Sequence, residues 1–386
     1  MDFELSEEQR LIKDSVERLL ADQYDFETRK TYMEAPDGFS RELWGKYAEL
    51  GLLGLPFEER FGGFGGGPVE TMIVAEAFGR ALALEPFLAT VVLGGGLLRH
   101  GGSYEQRAAL LPKIGDGSLL LAFAHSERQS RYHLADVGTS ARRDGRRFVL
   151  DGAKTLVLHG EAADKFLVSA RISGDRRESA GIGLFLVDAG APGVSRRGYQ
   201  TIDGQRAAEV TLAKVAVEPQ AVIGKPGEAF GLIRRVVDEA VAALCAEAVG
   251  AMAAMQELTV EYLKTRKQFG VPIGTFQVLQ HRAVDMLIAL EQARSMALLA
   301  TMMVAEENEA ERHKTIAAAK VQIGRSGRLV GQQAIQLHGG IGMTMEYKVG
   351  HFFKRVTTID AMFGDAEHHL TELARLGGLI ADRETT

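Results

Sequence analysis

The sequence predicts a mostly α protein with a central β domain, and two observations carry this prediction. Apolar residues recur at helical spacing in the first and last parts of the 386-residue chain. Between these parts, several short runs with strand character are separated by turn residues and not by helices. We therefore expect a helical N-terminal domain over 1–118, an antiparallel β-barrel middle domain over 119–228 and a C-terminal four-helix bundle over 229–386. A chain this long exceeds one ordinary compact unit, which agrees with several domains.

The composition is that of an ordinary globular protein, with 46% hydrophobic and 25% charged residues. The 45 basic and 51 acidic residues give a net charge of −6, so nothing indicates binding to nucleic acid or to an anionic membrane surface. The single cysteine, Cys245, excludes an intrachain disulfide framework and a Cys-rich metal site. No run reaches the ~18 apolar residues of a membrane span. The acidic residues 1–8 do not resemble a signal peptide, so we expect a cytoplasmic protein.

In the N-terminal domain, local signals predict where helices begin and end. Ser6 followed by Gln9 fits a capping box, which places a helix start directly after Ser6. A second helix is expected from about Arg41 to Leu50. The glycine-rich stretch 61–68 lacks the Lys-Ser/Thr of a P-loop and does not fit G-x-G-x-x-G, so it favours a loop with positive φ angles over a nucleotide cradle.

In the middle domain, the pattern changes to short strands. The run 142–147 contains Asp-Gly, which supplies both positive-φ residues of a tight hairpin turn. Arg196 and Arg197 are expected in a surface turn, with contact to the phosphates of a ligand as the alternative. The alternating β and α elements of a dinucleotide-binding domain are missing. The predicted strands are 119–124, 148–150, 155–158, 166–170, 183–187 and 209–217.

In the C-terminal domain, apolar residues keep helical spacing for more than thirty residues from about Phe230, a helix of roughly 50 Å. Further helices are expected at about 276–306, 312–337 and 366–381. Short connections between them predict an up-and-down bundle. Many of the residues are small, which also suits packing between subunits.

Two segments of the bundle carry possible chemistry. The first is 266–270, where Arg266 offers a planar fork suited to pyrophosphate and Phe269 offers a stacking face. The second is 336–344, where Gly339 and Gly340 let the backbone approach a ligand closely. Either segment alone is equally explained by glycines that cap helices. Their occurrence together, in this order, points to a shared binding function.

At these segments the chain resembles the acyl-CoA dehydrogenase family, and the resemblance covers nearly its whole length. The matching stretches are 6–10, 49–55, 111–114 with Gly117, 266–270 and 336–342. The resemblance implies non-covalent FAD, an acyl-CoA thioester substrate, α,β-desaturation and tetramers built as dimers of dimers. It also implies electron-transferring flavoprotein as the electron acceptor. In the family, a carboxylate removes the α-proton while hydride leaves Cβ for the flavin.

The family's catalytic carboxylate has no counterpart at its usual positions. It stands in a Tyr-Glu-Gly-Thr stretch, and an ungapped count from Gln336 places Phe363 there. Some branches carry the base on the first long bundle helix, where the count gives Ala240. Glu239 is adjacent, but one residue turns ~100° around a helix. Asp365 and Glu239 therefore remain only weak candidates for a displaced base.

The resemblance assigns two groups of residues to FAD contacts. One group departs from the family pattern, and the other follows it. Ser126 keeps its place in the Thr/Ser-Glu-Pro stretch, but Leu156 and Leu158 replace the Trp and Thr that lie against the flavin ring. Asp365 and Glu367 are weaker flavin contacts, with a solvated helix start as the alternative. The half that contacts the neighbouring subunit's FAD follows the pattern throughout. It comprises Arg266, Phe269, Gln277, Gln336, Leu337, His338, Gly339 and Gly340.

The chain keeps the family's residues for contact with a neighbour's FAD but departs from the pattern at the residues for an FAD of its own. This combination suggests the non-catalytic subunit of an α₂β₂ acyl-CoA dehydrogenase. The resemblance is to small subunits of the pimeloyl-CoA dehydrogenase type, in fatty acid or steroid catabolism, with a homologous subunit as partner. Two alternatives stay open. One is a self-sufficient homotetramer with a displaced base. The other is a flavin oxidase, a monooxygenase or a structural protein of the same fold. No metal is expected, because His351, His368 and His369 lack ligand spacing.

Overall fold

The computed structural model describes residues 5–377 and 379. Contacts divide the chain into two compact units, which we call the helical unit and the sheet unit. The helical unit comprises the residues up to Arg29, Pro68–Ala83 and the residues from Val241 onwards. The sheet unit comprises Lys30–Gly67 and Leu84–Ala240. The predicted class is confirmed, since helices at both ends of the chain flank a central β domain.

In the described part of the chain, six α-helices precede the β domain. Ser6 caps α1 as predicted: its hydroxyl accepts the Gln9 N–H at 3.1 Å, and the Gln9 side chain accepts the Ser6 N–H at 3.0 Å. In the predicted glycine loop, Gly62 and Gly65 have φ angles of 78° and 65°, which confirms the positive-φ interpretation. A π-helical segment, Leu88–Gly95, leads directly into the fifth helix. The six helices are α1 Glu7–Gln23, α2 Phe26–Glu34, α3 Arg41–Glu49, α4 Pro68–Ala81, α5 Gly96–Gly101 and α6 Tyr104–Gly115.

The β domain is one eight-stranded sheet. Its hydrogen-bonded order is β6-β7-β3-β2-β4-β5-β8, with β1 beside β4. Most neighbours are antiparallel, as predicted, but β1 pairs with β4 in parallel, and β2 touches β4 in parallel at Ser140 and Arg171. The sheet is therefore mixed. The strands are β1 Leu121–Ala124, β2 Ser140–Asp144, β3 Arg147–Leu158, β4 Lys165–Arg171, β5 Ile182–Asp188, β6 Val194–Gln200, β7 Arg206–Val217 and β8 Val222–Ile223.

The sheet curls around its own apolar core. The rings of Phe148 on β3 and Phe185 on β5 are 5.2 Å apart, although these two strands are not neighbours in the sheet. The predicted hairpin is confirmed, since Asp144 pairs with Arg147 across the turn. The predicted turn pair is wrong, because Asp144 is still part of β2 and, of the Asp-Gly pair, only Gly145 has a positive φ, of 60°. The surface turn expected at Arg196 and Arg197 is wrong, because both residues lie in edge strand β6, paired with β7.

Among the described residues, five helices follow the β domain, and a small hairpin connects the first two of them. The predicted long helix is confirmed as α7, which has 36 residues. Helix α10 was not predicted. Residues 378, 380 and 381 of the predicted last helix lie outside the described part of the chain. The elements are α7 Phe230–Thr265, β9 Lys267–Gln268, β10 Val271–Pro272, α8 Gln277–Met303, α9 Glu309–His338, α10 Lys348–Ala361 and α11 Ala366–Leu376.

Within the helical unit, α4 and α7 pack at very short distance through glycines. A Cβ atom on Gly79 would lie 1.9 Å from the Glu247 carbonyl oxygen, and one on Gly250 would lie 1.9 Å from the Glu76 carbonyl oxygen. These distances leave no room for any side chain at either position. None of the described helices is both long and apolar enough to cross a membrane.

Candidate functional site

The first predicted segment forms the tip of the β9–β10 hairpin. Phe269 and Gly270 are its two turn residues, with φ angles of 53° and 82°. Both angles are positive, as in a type I′ turn, a conformation that a bulky side chain adopts only with strain. Phe269 is nevertheless 92% exposed, and within the described chain its ring meets only the edge of Phe276, at 6.1 Å. A strained and exposed aromatic side chain is suited to stacking on a molecule outside this unit.

The second predicted segment lies where α9 ends. Gly339 has a φ of 62°, and a Cβ atom on Gly339 or Gly340 would meet no described atom within 4 Å. The glycine backbone is therefore open to a close approach. Gln336 is exposed beside it. Leu337 and His338 are buried, so their side chains are not available to a ligand.

The two segments lie at the same end of the helical unit. His338, near the end of α9, stacks on Tyr262, near the end of α7, with ring centroids 4.6 Å apart. The His338 Nδ1–H donates to the Ala334 carbonyl oxygen at 2.8 Å, which fixes the ring. The exposed Arg266 follows α7 directly, and the exposed Gln277 begins α8. The exposed members of the predicted neighbour-facing set thus lie at one end of the helical unit, and their contact with a cofactor stays a prediction.

The turn between α10 and α11 holds Phe363, the residue to which the ungapped sequence count assigns the family's base position. Phe363 is half-buried there, with a φ of 55°. Its carbonyl oxygen accepts a hydrogen bond from His369 Nε2 at 3.1 Å. Asp365 caps α11, because its Oδ1 accepts the His368 N–H at 2.8 Å. Glu367 is exposed in the first turn of α11, as the solvated-start alternative requires.

The other displaced-base candidate, Glu239, is engaged by two basic side chains in the sheet unit. Its two carboxylate oxygens lie 2.6 Å from Arg99 Nη2 and 2.6 Å from His100 Nε2. Burial raises the pKa of the Glu239 carboxyl, but the hydrogen bond from His100 and the charge of Arg99 outweigh it and leave the pKa below its usual value. A carboxylate held in this way is a poor general base. The neighbouring Ala240 is completely buried.

In the middle domain, the residue next to Ser126 belongs to a closed hydrogen-bond network and does not form an open contact for a flavin. Glu127, next to the half-buried Ser126, accepts Lys154 Nζ at 2.7 Å and the Thr139 N–H at 3.0 Å on Oε1. Its Oε2 accepts Gln129 Nε2 at 2.6 Å and the Gly138 N–H at 2.9 Å. Burial raises the pKa of Glu127, but the charge of Lys154 dominates and lowers it to about 2. The Glu127 carboxylate is therefore ionised and fully occupied.

The residues expected against the flavin ring offer it no hydrogen bond. Leu156 is 45% exposed with a φ of 50°, and Leu158 is half-buried. Neither side chain has a donor or an acceptor. Among the residues that the structure describes, no group of His, Cys, Asp and Glu side chains could hold a metal ion.

Sequence reasoning missed one residue of this region, Lys320 on α9. It is completely buried beneath the turn that carries Phe363. A signal was present in the sequence, since Lys320 is the single charged residue in the apolar run 316–321. A lone lysine at such a place must find acceptors inside the protein.

The chain matches three family models that together cover most of its length. They are described as the N-terminal, middle and C-terminal domains of acyl-CoA dehydrogenase, and they match residues 6–118, 122–215 and 228–377.

Individual proteins of known sequence or structure resemble the chain from end to end. A probable acyl-CoA dehydrogenase of Bacillus subtilis, YngJ, is 28% identical over 97% of this chain and 99% of its own length. The ChsE4–ChsE5 complex from Mycobacterium tuberculosis contains a chain that is 26% identical, with a TM-score of 0.87 and full coverage of both chains. The FAD complex of PigA is 26% identical, with a TM-score of 0.89, over 98% of this chain and all of the other.

Proposed function

The chain belongs to the acyl-CoA dehydrogenase family, and from that premise we propose that it is the supporting subunit of an α₂β₂ acyl-CoA dehydrogenase. Its partner is a homologous subunit that carries the catalytic carboxylate and binds the acyl-CoA. This chain completes the partner's FAD site with the surface formed by Arg266, Phe269 and the Gln336–Gly340 segment. The single observation that carries the proposal is Phe363, a side chain that cannot accept a proton, on the turn where the family places its base.

The alternative carboxylates do not replace the missing base. Asp365 holds the start of α11, and Glu239 is bound by Arg99 and His100. A general base must reach the proton that it abstracts with a free lone pair and a pKa near the working pH. The pKa of Glu239 is lowered away from the working pH, and the Asp365 carboxylate already caps α11.

The described residues fit FAD unequally in the two units. The exposed ring of Phe269, the fork of Arg266 and the open Gly339–Gly340 backbone suit stacking on, and hydrogen bonding to, the ADP portion of a dinucleotide. When bound, FAD supplies the hydride acceptor for oxidation of the acyl-CoA. Leu156 and Leu158 offer no donor to polarise a flavin ring. The fit thus supports a contribution to the partner's cofactor more than to a cofactor of this chain's own.

The surface of α8 supports a stable partner. Met286, Leu290 and several alanines line its buried side. The opposite side carries the exposed residues Val284, Leu287 and Ile288. A helix that is apolar on several sides is normally buried on several sides. We assign this second apolar side to the homologous subunit, in keeping with the two-chain complex formed by the ChsE4–ChsE5 relative. Electron-transferring flavoprotein is the proposed acceptor for the reduced cofactor.

The direct test is the flavin content and native mass of the purified chain, alone and co-expressed with a homologue encoded beside it. We expect a colourless chain alone, and an α₂β₂ complex with one FAD for every two chains. A yellow homotetramer with one FAD per chain, bleached by an acyl-CoA, would refute the proposal in favour of the self-sufficient enzyme. Bleaching by other substrates with oxygen consumption would instead indicate an oxidase or monooxygenase.

A second test restores the carboxylate. We expect Phe363→Glu in the isolated chain to give no dehydrogenase activity, because Leu156 and Leu158 cannot donate hydrogen bonds to a flavin ring. Phe363→Gln is the matched control, because glutamine has the shape of glutamate without its charge. A gain of about 10²-fold for Glu over Gln would mean that a flavin binds here in working geometry, and the proposal would be wrong.

A further inference from the structure

The ammonium of Lys320 is a buried charge that the proposed function does not use. The side chain extends from α9 and is completely buried. Burial lowers its pKa to about 8, so the group still carries its charge at neutral pH. A buried charge without acceptors would be very unfavourable, so the groups around it define its role.

All four acceptors of the ammonium are main-chain carbonyl oxygens from one turn. Lys320 Nζ donates to Ile359 and Asp360 in the last turn of α10, at 2.6 and 2.9 Å. It also donates to Met362 and Gly364, both at 3.0 Å. An ammonium has three hydrogens, so at least one is shared between two oxygens. The orphan carbonyls at the end of a helix are thereby satisfied by a cation from another helix.

The Phe363 carbonyl, between two carbonyls that Lys320 binds, is held by a second buried side chain. His369 Nε2 donates to the Phe363 carbonyl oxygen at 3.1 Å. The turn is also closely packed, since Gly364 has a φ of 110° and a Cβ atom there would lie 2.6 Å from His369 Nε2. The carbonyls of residues 359, 360, 362, 363 and 364 are thus all fixed from inside the unit.

We propose that Lys320 is the positioning residue for position 363, acting with His369. Its ammonium donates hydrogen bonds to the carbonyl oxygens around this position and so fixes the backbone conformation of residue 363. The side chain at 363 then takes its place whether it is the phenylalanine of this chain or the glutamate of a catalytic relative. The importance of that place for the reaction rests on the proposed function, but the positioning itself can be tested without cofactor or substrate.

Lys154 provides a matched comparison within the same molecule. It is equally buried and burial also lowers its pKa to about 8, but it donates to the Glu127 carboxylate at 2.7 Å in the sheet unit. Removal of either lysine leaves buried acceptors unpaired. Only removal of Lys320 acts on the turn at 363 if the proposal is right.

The experiment places 4-fluorophenylalanine at position 363 alone and records its ¹⁹F resonance in the full chain. We expect one narrow resonance in the parent protein, and a shifted or split resonance in Lys320→Met. Lys154→Met should leave it unchanged. In Lys320→Ala, methylammonium should restore the parent resonance, because it supplies an ammonium to the same carbonyls, whereas tetramethylammonium has no N–H to donate.

The outcomes separate positioning from general instability. An unchanged resonance in a folded Lys320→Met protein, or an equal change in Lys154→Met, would overturn the proposal. If Lys320→Met does not fold, His369→Leu is the second variant, and it should shift the resonance by removing the hydrogen bond to the Phe363 carbonyl. An unshifted resonance in His369→Leu together with no rescue of Lys320→Ala by methylammonium would equally overturn it. None of these measurements depends on FAD, so they can fail or succeed independently of the α₂β₂ assignment.

Discussion

At the scale of single residues, Glu239 distinguishes a structural carboxylate from a catalytic one. Glu239→Gln keeps the side-chain volume but removes the charge that Arg99 and His100 contact. We expect the free energy of unfolding to fall by about 2 kcal/mol, since hydrogen bonds between charged groups contribute about that much. Chemical denaturation measures this change. The activity of the complex with the partner should be retained, and a loss of activity at unchanged stability would identify Glu239 as the base after all.

The sequence predicted the absence of a base at position 363, because an ungapped count from Gln336 needs no structural information. It could not predict the contacts that hold that position. Lys320 meets carbonyls 39 to 44 residues further along the chain. Such a contact depends on how α9 packs against the turn after α10, and periodicity along the chain does not encode it. The burial of His338 is a similar case, since its partners Tyr262 and Tyr347 come from other segments.

At the scale of elements, the crossing of α4 and α7 depends on two glycines. Gly250→Val would place side-chain atoms against the Glu76 carbonyl, where a Cβ atom alone would lie at 1.9 Å. The backbone of α4 cannot move aside as a flexible side chain could, so we expect a loss of at least about 3 kcal/mol or failure to fold.

The matched control for this change lies on the same helix. Gly231, also on α7, has nothing within 4 Å of a Cβ atom. Gly231→Ala should therefore leave the thermal midpoint unchanged or raise it slightly, since alanine favours helix more than glycine does. Equal midpoints for Gly250→Val and the parent protein would contradict the close crossing.

Local signals predicted elements well, and tertiary pairing decided the others. The capping box at Ser6 and the hairpin at Gly145 are fixed by neighbouring residues, and both were confirmed, although Asp144 lies in the strand and not in the turn. Helix α10 was missed because Val356, Thr357 and Thr358 are β-branched residues of low helix propensity. Strand β6 forms through its pairing with β7, although Gly198 and two arginines give it little strand character. Two predicted strands are one continuous strand, β3, with irregular pairing between Leu150 and Gly152.

At the scale of the whole molecule, two buried histidines predict sensitivity to acid. Burial lowers the pKa of His125 and of His369 to about 3, with Lys154 and Lys320 adding to the effect. The unfolded chain binds a proton at each histidine below its ordinary pKa of about 6.5, whereas the folded chain does not. The free energy of unfolding should therefore fall as the pH drops from about 6.5 towards 3, by about 1.4 kcal/mol per pH unit for each histidine.

Variants assign this acid sensitivity to its sources. His369→Gln should flatten the fall of the thermal midpoint between pH 6.5 and 4.5, and His281→Gln, at an exposed position, should not. Glu127 adds a further loss only at lower pH, since its lowered pKa stabilises the fold above about 4.5 and that contribution disappears as the pH falls through about 2. A midpoint that is flat from pH 6.5 to 4.5 in the parent chain would contradict neutral, buried histidines.

The domain boundaries at 118/119 and 228/229 follow the order of the chain, and they stay predictions. Contacts group the residues differently, since α1 and α4 belong to the helical unit with the C-terminal helices, while α3 belongs to the sheet unit. Sequence periodicity identifies a helix and its apolar side, but it does not identify the helix against which that side packs. The same limitation applies to α8, whose second apolar side has to be explained at the level of the assembly.

The last prediction concerns that assembly. Ile288 is 51% exposed on the second apolar side of α8, so Ile288→Asp should disrupt association with the partner while changing the stability of the isolated chain by less than about 0.5 kcal/mol. Leu11→Asp on α1 is the matched control, since Leu11 is 61% exposed and lies outside that surface. Native mass after co-expression should fall for Ile288→Asp alone, and FAD content should fall with it, because the hairpin of Phe269 no longer reaches the partner. An intact complex that keeps its FAD would show that the second apolar side of α8 does not bind the partner.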